Sequence, residues 1–333
     1  MADPSLSLLI LTISLAVGFG VVNGFNDAAN SVAASVGSRA LSPRNAIILA
    51  TGFTMAGAAS GTAVAQTIGK GILMPEAISY VTVIAGLTAV IVWGSIATYY
   101  GVPVSSTHGF VAGLAAAGVA VAGTEAVGWG VMQRVLVSVA AAPAMGFAGG
   151  FAVMVILFWV FRRRAPARMR VIFSRLQWLT TAFLAYSLGK NNGQMPIGVI
   201  MMVLVIHTGQ ASLWDNIPWW VIVVSSLAIS SGTAIGGWRV IKTMGMKITA
   251  LEPIHGFAAD LSAASVIEVA SHFGIPVSTT HCSSAAIMGV GATKRLSAVR
   301  WGMARRIVAA WVLTFPIAGG LGYGFALLLR PLF

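Results

Sequence analysis

The sequence predicts an all-α membrane protein, a polytopic helical bundle of two repeats with broken or re-entrant half-helices. Three observations predict it. The 333-residue chain is 57% hydrophobic and only 8% charged, whereas a soluble domain carries about 25% charged residues. Apolar stretches of about 20 residues, long enough to cross a bilayer, recur along it. One phrase also occurs twice: residues 101–108 read G-V-P-V-S-S-T-H and residues 274–281 read G-I-P-V-S-T-T-H. A hydroxyl-rich tetrapeptide is costly in hydrocarbon unless its hydroxyls find partners. Two copies therefore point to two halves facing one site, the pattern of a secondary transporter built from repeats.

In chain order, the candidate spans are 5–23, 45–66, 77–98, 109–123, 131–161, 176–188, 195–208, 217–238, 256–272, 282–292 and 307–329. Several are too short for a full crossing, sit beside the polar motifs, and read as half-helices. The repeat extends past the opening phrase. Gly24-Phe25-Asn26-Asp27-Ala28-Ala29-Asn30 corresponds to Gly189-Lys190-Asn191-Asn192-Gly193-Gln194-Met195, and Gly61-Thr62-Ala63-Val64 to Gly232-Thr233-Ala234-Ile235. Three blocks recur in one order, as internal duplication requires. This divides the chain into a first transmembrane repeat (1–161), a basic cytoplasmic loop (162–175) and a second transmembrane repeat (176–333). An odd number of crossings between the blocks would invert the second half. Glycines four apart (57/61, 146/150, 232/236 and 320/324) predict close helix packing within one bundle.

A formal net charge of +12 suggests nucleic acid only until its placement is examined. Arg162, Arg163, Arg164, Arg168, Arg170 and Arg175 cluster between the halves, and Lys294, Arg295, Arg300, Arg305 and Arg306 form a second group. These mark cytoplasmic, lipid-facing ends by the positive-inside rule, with no nucleic-acid partner. The segment before residue 24 has no Lys or Arg, which predicts an outside N-terminus and a multi-pass protein of the cell inner (plasma) membrane. It lacks the basic start of a signal peptide and is treated as part of the fold. The single cysteine, Cys282, excludes an intrachain disulfide and is expected one turn from the bound anion.

Serine suits an N-cap and proline a helix start. Helices beginning at Pro103–His108 and Pro276–His281 would aim free N–H groups and positive dipole ends into the membrane. Ser105, Ser106 and Thr107 in the first copy, and Ser278, Thr279 and Thr280 in the second, add hydroxyl donors suited to a tetrahedral oxyanion. Asn26, Asp27 and Asn30 form the second element. An aspartate in an apolar span is costly and marks function. Asp27 and Asn30 offer oxygen ligands to Na⁺; alternatively Asp27 carries a proton. Asn191, Asn192 and Gln194 are the second-half counterparts, Asn192 and Gln194 on the cation side. His108 and His281 are expected to bond backbone carbonyls and order their turns. Gln177 is a further candidate ligand, and Asp260 and Glu268 are expected to pair with basic residues or contribute to coupling. No H-E-x-x-H, G-x-S-x-G or nucleophile–base set is present, so an enzyme is not expected. An anion channel would need a continuous donor-lined pore.

These blocks resemble the inorganic phosphate transporter (PiT) family of sodium- or proton-coupled anion symporters. Gly24, Asn26, Asp27 and Asn30 meet its G-x-N-D-x-x-N signature, both P-V-S-(S/T)-T-H elements are present, and Gly232–Ile248 with Gly256-Phe257-Ala258-Ala259 looks like bacterial members. The resemblance implies an inverted-repeat fold, commonly a homodimer among membrane lipids. It implies alternating access, both termini outside, and substrate between the NDxxN-like turns and the STTH helix starts. It implies no cofactor beyond a coupling Na⁺ or H⁺. The second half departs from the family pattern: Asn192 replaces an aspartate and Met195 a basic residue. Fewer carboxylates beside Lys190 shift the expectation slightly toward sulfate, which has no proton to donate; phosphate stays first and sulfate second.

Overall fold

The computed structural model describes residues 4–332. Among these residues lie thirteen α-helices. The first half contains α1 (Pro4–Gly37), α2 (Pro43–Ala59), α3 (Ala63–Gly71), α4 (Tyr80–Tyr100), α5 (Ser106–Ala122) and α6 (Trp129–Phe161). The second contains α7 (Pro166–Asn192), α8 (Gln194–Thr208), α9 (Trp219–Ile235), α10 (Trp238–Lys247), α11 (Pro253–His272), α12 (Thr279–Ala292) and α13 (Trp301–Leu329). Four helices, α1, α4, α6 and α13, are long and apolar enough to cross a membrane alone, and the count is six if each bent pair is one span.

The duplication is structural. Each half has a bent pair, α2–α3 and α9–α10, both turning by 65°. In each half a helix (α4, α11), a short buried helix (α5, α12) and a long helix interrupted by proline (Pro143 in α6, Pro316 in α13) follow. The halves interlock: α5 packs on α13 and α12 on α6, while α1 crosses α9 and α7 crosses α2. Glycine makes these crossings possible. A Cβ at Gly24 would lie 1.9 Å from the Ile229 carbonyl oxygen, and one at the equivalent Gly189 2.1 Å from that of Thr54. Of the four-spaced glycines, Gly57, Gly146, Gly150 and Gly232 have backbone of neighbouring helices at similar range, whereas Gly320 and Gly324 meet nothing within 4 Å.

Three local expectations change. The basic segment 162–175 is a turn only at 162–165; from Pro166 it is the start of the 27-residue α7. Proline fits the first helical turn and arginine is a good helix former, so charge there marks exposure without a break in the helix. Residues 24–30 lie inside the continuous α1, whereas their counterparts span the break between α7 and α8 at Gly193. The 45–66 and 217–238 stretches are bent pairs, the second broken at Gly236, which adopts φ 71°.

The buried apolar residues form two large clusters. Ala28, Leu184 and Leu188 belong to one, and Phe19, Met195 and Ile197 to the other. The changeover on α1 and on α7–α8 falls at the two polar motifs, so the polar site separates the two cores.

Candidate functional site

The two copied phrases fold alike. Ser105 caps α5 by accepting the His108 N–H at 3.2 Å, and Ser278 caps α12 by accepting the His281 N–H at 3.2 Å. Each phrase then reaches into the other. Thr107 Oγ1 donates toward the Val277 carbonyl at 3.4 Å, and Thr280 Oγ1 donates to the Val104 carbonyl at 3.0 Å. The extended segment before each helix therefore gives up a carbonyl to the other half's threonine. All six hydroxyl residues, Ser106 included, are buried.

The NDxxN motif closes this pair into a ring. Asp27 accepts from Asn30 Nδ2 at 2.8 Å and from Asn192 Nδ2 at close range. Asn30 Nδ2 also meets Thr280 Oγ1 at 2.8 Å. Asn192 Nδ2 meets Thr279 Oγ1 at 2.8 Å, while Asn192 Oδ1 accepts from Thr107 at 3.2 Å. Asp27, Asn30, Asn192, Thr107, Thr279 and Thr280 thus form one hydrogen-bonded cluster contributed by α1, α5, α7 and α12. A buried carboxylate with two amide donors is partly compensated, though no basic residue among the described residues pairs with it.

Three expected ligands point elsewhere. Asn26 donates to Thr98 of α4 at 2.7 Å. Asn191 donates to Ser271 at 2.9 Å and to the Ile275 carbonyl at 3.2 Å, fixing the approach to the second phrase. Gln194 Oε1 accepts from the N–H groups of Val64 at 2.9 Å and Ala65 at 3.4 Å, so it caps α3. In an interior without water, a half-helix start needs such a donor–acceptor match. Asn23, missed in the sequence, joins the cluster by donating to the Asn192 carbonyl at 3.3 Å. Its signal was position: four residues before Asp27, it lies on the same helical face.

The amide oxygens of Asn23, Asn26, Asn30 and Asn191 are buried without a hydrogen-bond donor. Buried acceptors are rarely left unpaired; of these four, Asn30 is bonded to Asp27, and an uncharged oxygen beside a carboxylate is the ligand type that hard cations take.

The histidines behave differently from expectation. His108 and His281 meet edge to face at 4.8 Å, His108 stacked on Phe315 and His281 on Trp311. The His108 ring has no hydrogen-bond partner among the described residues, and the His281 ring is directed to the Val139 carbonyl of α6, so neither orders its own turn. They act as a packed contact between α5 and α12, backed by α13. Cys282 also turns away from the cluster: its Sγ faces the Ala263 carbonyl at 3.9 Å, and its backbone abuts Gly146 of α6.

A second polar cluster joins the turn after α1 to α7 and α11. Asp260 accepts from Thr181 at 3.1 Å and from Gln177 at 3.5 Å, and Gln177 accepts from Ser38 at 2.8 Å. Glu268, two turns along α11, forms an ion pair with Lys190. Lys190 is therefore neutralised by a carboxylate, which removes its share of the argument for sulfate.

Comparison with known proteins decides the class of this bundle. A family model described as "Phosphate transporter family" matches residues 23–322, nearly the whole chain. The chain belongs to the phosphate transporter family. Membership makes it a multi-pass membrane transporter and not an enzyme. A Bacillus subtilis relative named "Probable low-affinity inorganic phosphate transporter" is 39% identical over 96% of both chains, and a Rhizobium meliloti protein of the same name is 38% identical over 93% of both. A solved structure described as "The sodium-dependent phosphate transporter" superposes with a TM-score of 0.84 at 26% identity, covering 98% of this chain and 100% of that one. The matched range contains both copied phrases, the segments that interlock through Thr107 and Thr280.

Proposed function

We propose that the chain imports inorganic phosphate by cation symport through alternating access, with Na⁺ as the coupling ion. The single observation that carries this reading is the cluster in which both phrase threonines converge on Asp27, Asn30 and Asn192. Hydroxyl and amide donors at two half-helix starts suit an oxyanion, and the unpaired Asn30 amide oxygen beside Asp27 suits a cation. The names of the relatives and of the structural neighbour favour phosphate and sodium. Asp27 remains as an acceptor for the proton of monohydrogen phosphate, and with Lys190 paired to Glu268 nothing at the site favours sulfate over it.

In this reading the ring lines the site shared by anion and cation. An arriving anion takes the donor groups of Thr107, Thr279 and Thr280, and a cation takes the place of the amide hydrogens at Asp27. Asp260 with Gln177 and Thr181 offers a second carboxylate site for a cation. The basic α6–α7 connection lies in the cytoplasm and the N-terminus outside, by the positive-inside rule.

The test is uptake of labelled phosphate by the purified chain in proteoliposomes. Accumulation driven by an inward Na⁺ gradient, competed poorly by sulfate, is the expected result. Accumulation driven only by a proton gradient would change the ion. Equilibration without accumulation would make the protein a channel, and preferential sulfate uptake would change the substrate.

A further inference from the structure

At the end of α6 and the start of α7 lies a cavity of about 440 Å³. Its two walls differ in chemistry. Leu157, Phe158 and Phe161 of α6 and Ile254 of α11 make one apolar; Arg162, Arg164 and Arg170 line the other. The three arginines are exposed, and none has a carboxylate partner among the described residues. Glu252, which also borders the cavity, is engaged by Lys294 at 3.3 Å. The apolar wall continues into the outward face of α6, where Val155, Ile156, Trp159 and Val160 are exposed on a helix long enough to span. Arg162 lies over the Trp159 ring at 5.3 Å. Tryptophan and arginine together at a helix end mark the headgroup level of a bilayer.

We infer that this cavity is a binding site for an anionic phospholipid, its phosphate on the arginines and the start of an acyl chain against Leu157, Phe158, Phe161 and Ile254. Two features select this occupant. The charge is in excess: Glu252 faces both Lys294 and Arg170, so a neutral headgroup leaves the Arg162 and Arg164 guanidinium groups without counterions. The apolar wall is partly exposed, Phe158 by 42%, and adjoins the exposed apolar face of α6, so soluble phosphate leaves it uncovered. Basic pockets between helix ends are the usual place for such headgroups. Behind the apolar wall, His255 packs edge to face against Phe158 at 6.2 Å.

The test is native mass spectrometry of the full detergent-purified chain, titrated separately with phosphatidylglycerol, cardiolipin and phosphatidylcholine. The anionic lipids should be retained and phosphatidylcholine lost. The triple variant R162Q/R164Q/R170Q should bind phosphatidylglycerol on the order of a hundredfold more weakly, since each arginine contributes about fivefold. Millimolar inorganic phosphate should not displace the lipid. The single variant I254W keeps every charge but fills the apolar wall, and should also lose phosphatidylglycerol. It decides the matter if the triple variant does not fold. Equal retention of phosphatidylcholine, or undiminished binding in a folded variant, would overturn the site. Displacement by inorganic phosphate would make it a soluble-anion site, and loss of a lipid-free dimer in the triple variant would make it a subunit interface; either result overturns the proposal.

Discussion

Thr280 donates its hydroxyl proton to the carbonyl of Val104 at 3.0 Å, and the repeat-related Thr107 reaches Val277 at 3.4 Å. Two segments 176 and 170 residues apart in sequence thus complete each other's backbone hydrogen bonding at the centre of the membrane fold. A transporter that opens alternately to two sides must loosen such a contact on one side or both. The two bonds are unequal, and Thr280 also accepts from Asn30 at 2.8 Å whereas Thr107 meets Asn192 at 3.2 Å.

That inequality predicts an order of severity. T280A leaves the Val104 carbonyl unpaired and takes an acceptor from Asn30, at a cost of about 1–3 kcal/mol for the exposed polar groups. T107A breaks longer bonds and should cost less. Phosphate KM in proteoliposomes should rise for both variants, more for T280A, and T280S should recover most of the loss. Equal KM values for T280A and the parent protein, with both correctly folded, would remove the hydroxyl from substrate binding.

The helix crossings make a stability prediction. G24A and G189A each drive a Cβ into a facing carbonyl, so the backbones must separate, costing about 1–3 kcal/mol or more. The thermal midpoint in detergent should fall by similar amounts for the two, because the positions are repeat-equivalent. G320A, where nothing lies within 4 Å, should leave the midpoint unchanged or raise it slightly through helix propensity. A similar fall for G320A would mean that Gly320 packs on a partner.

The Lys190–Glu268 ion pair separates structural from coupling carboxylates. Both side chains are partly exposed, 18% and 25%, so the pair lies between a surface bridge worth about 1 kcal/mol or less and a buried one whose breakage costs about 3–5 kcal/mol. E268Q should lower the thermal midpoint but leave the cation:phosphate ratio unchanged, and the charge swap K190E/E268K should restore much of the midpoint. A changed ratio in E268Q would bring Glu268 into coupling.

Much of the site was legible because the duplication writes it twice. Two copies of a proline–serine–threonine phrase, each before a small-residue apolar run, predict two capped half-helices; Ser105 and Ser278 cap them. Asp27 and Asn192 occupy equivalent places, and they meet. Side-chain direction was less legible. Asn26 sits beside Asp27, yet one adjacent position on a helix turns a side chain by about 100°, from the ring to α4; Gln194 lies two residues past Asn192, across the break at Gly193, and turns to α3. The Ser38–Gln177–Asp260 chain joins three distant segments, and no spacing in the sequence encodes their juxtaposition. The arginine-rich segment at 162–175 reads as a loop because charge reports water, but helices also end in water, and α7 starts at Pro166.

The contact between Asp27 and Asn192 carries the last prediction. At the place equivalent to Asp27 the second repeat has an amide, Asn192, whose Nδ2 donates to Asp27 and to Thr279. The amide hydrogen occupies the space between the two repeat-related side chains that a cation would otherwise have to fill. N192D would bring two carboxylates together, and like charges at that range cannot both ionise unless a proton or a cation lies between them. N192D should therefore raise the apparent Na⁺ affinity and increase the number of cations moved per phosphate, read from reversal potentials in proteoliposomes. In D27N the cluster keeps amides and hydroxyls but loses its charge, so accumulation under a Na⁺ gradient should vanish while phosphate exchange persists. In the double variant D27N/N192D the carboxylate returns on the other repeat, and partial recovery of accumulation is expected. If D27N still accumulates phosphate and N192D leaves the ratio unchanged, coupling does not reside in this pair. Asp260, held by Thr181 and Gln177, is then the carboxylate to test.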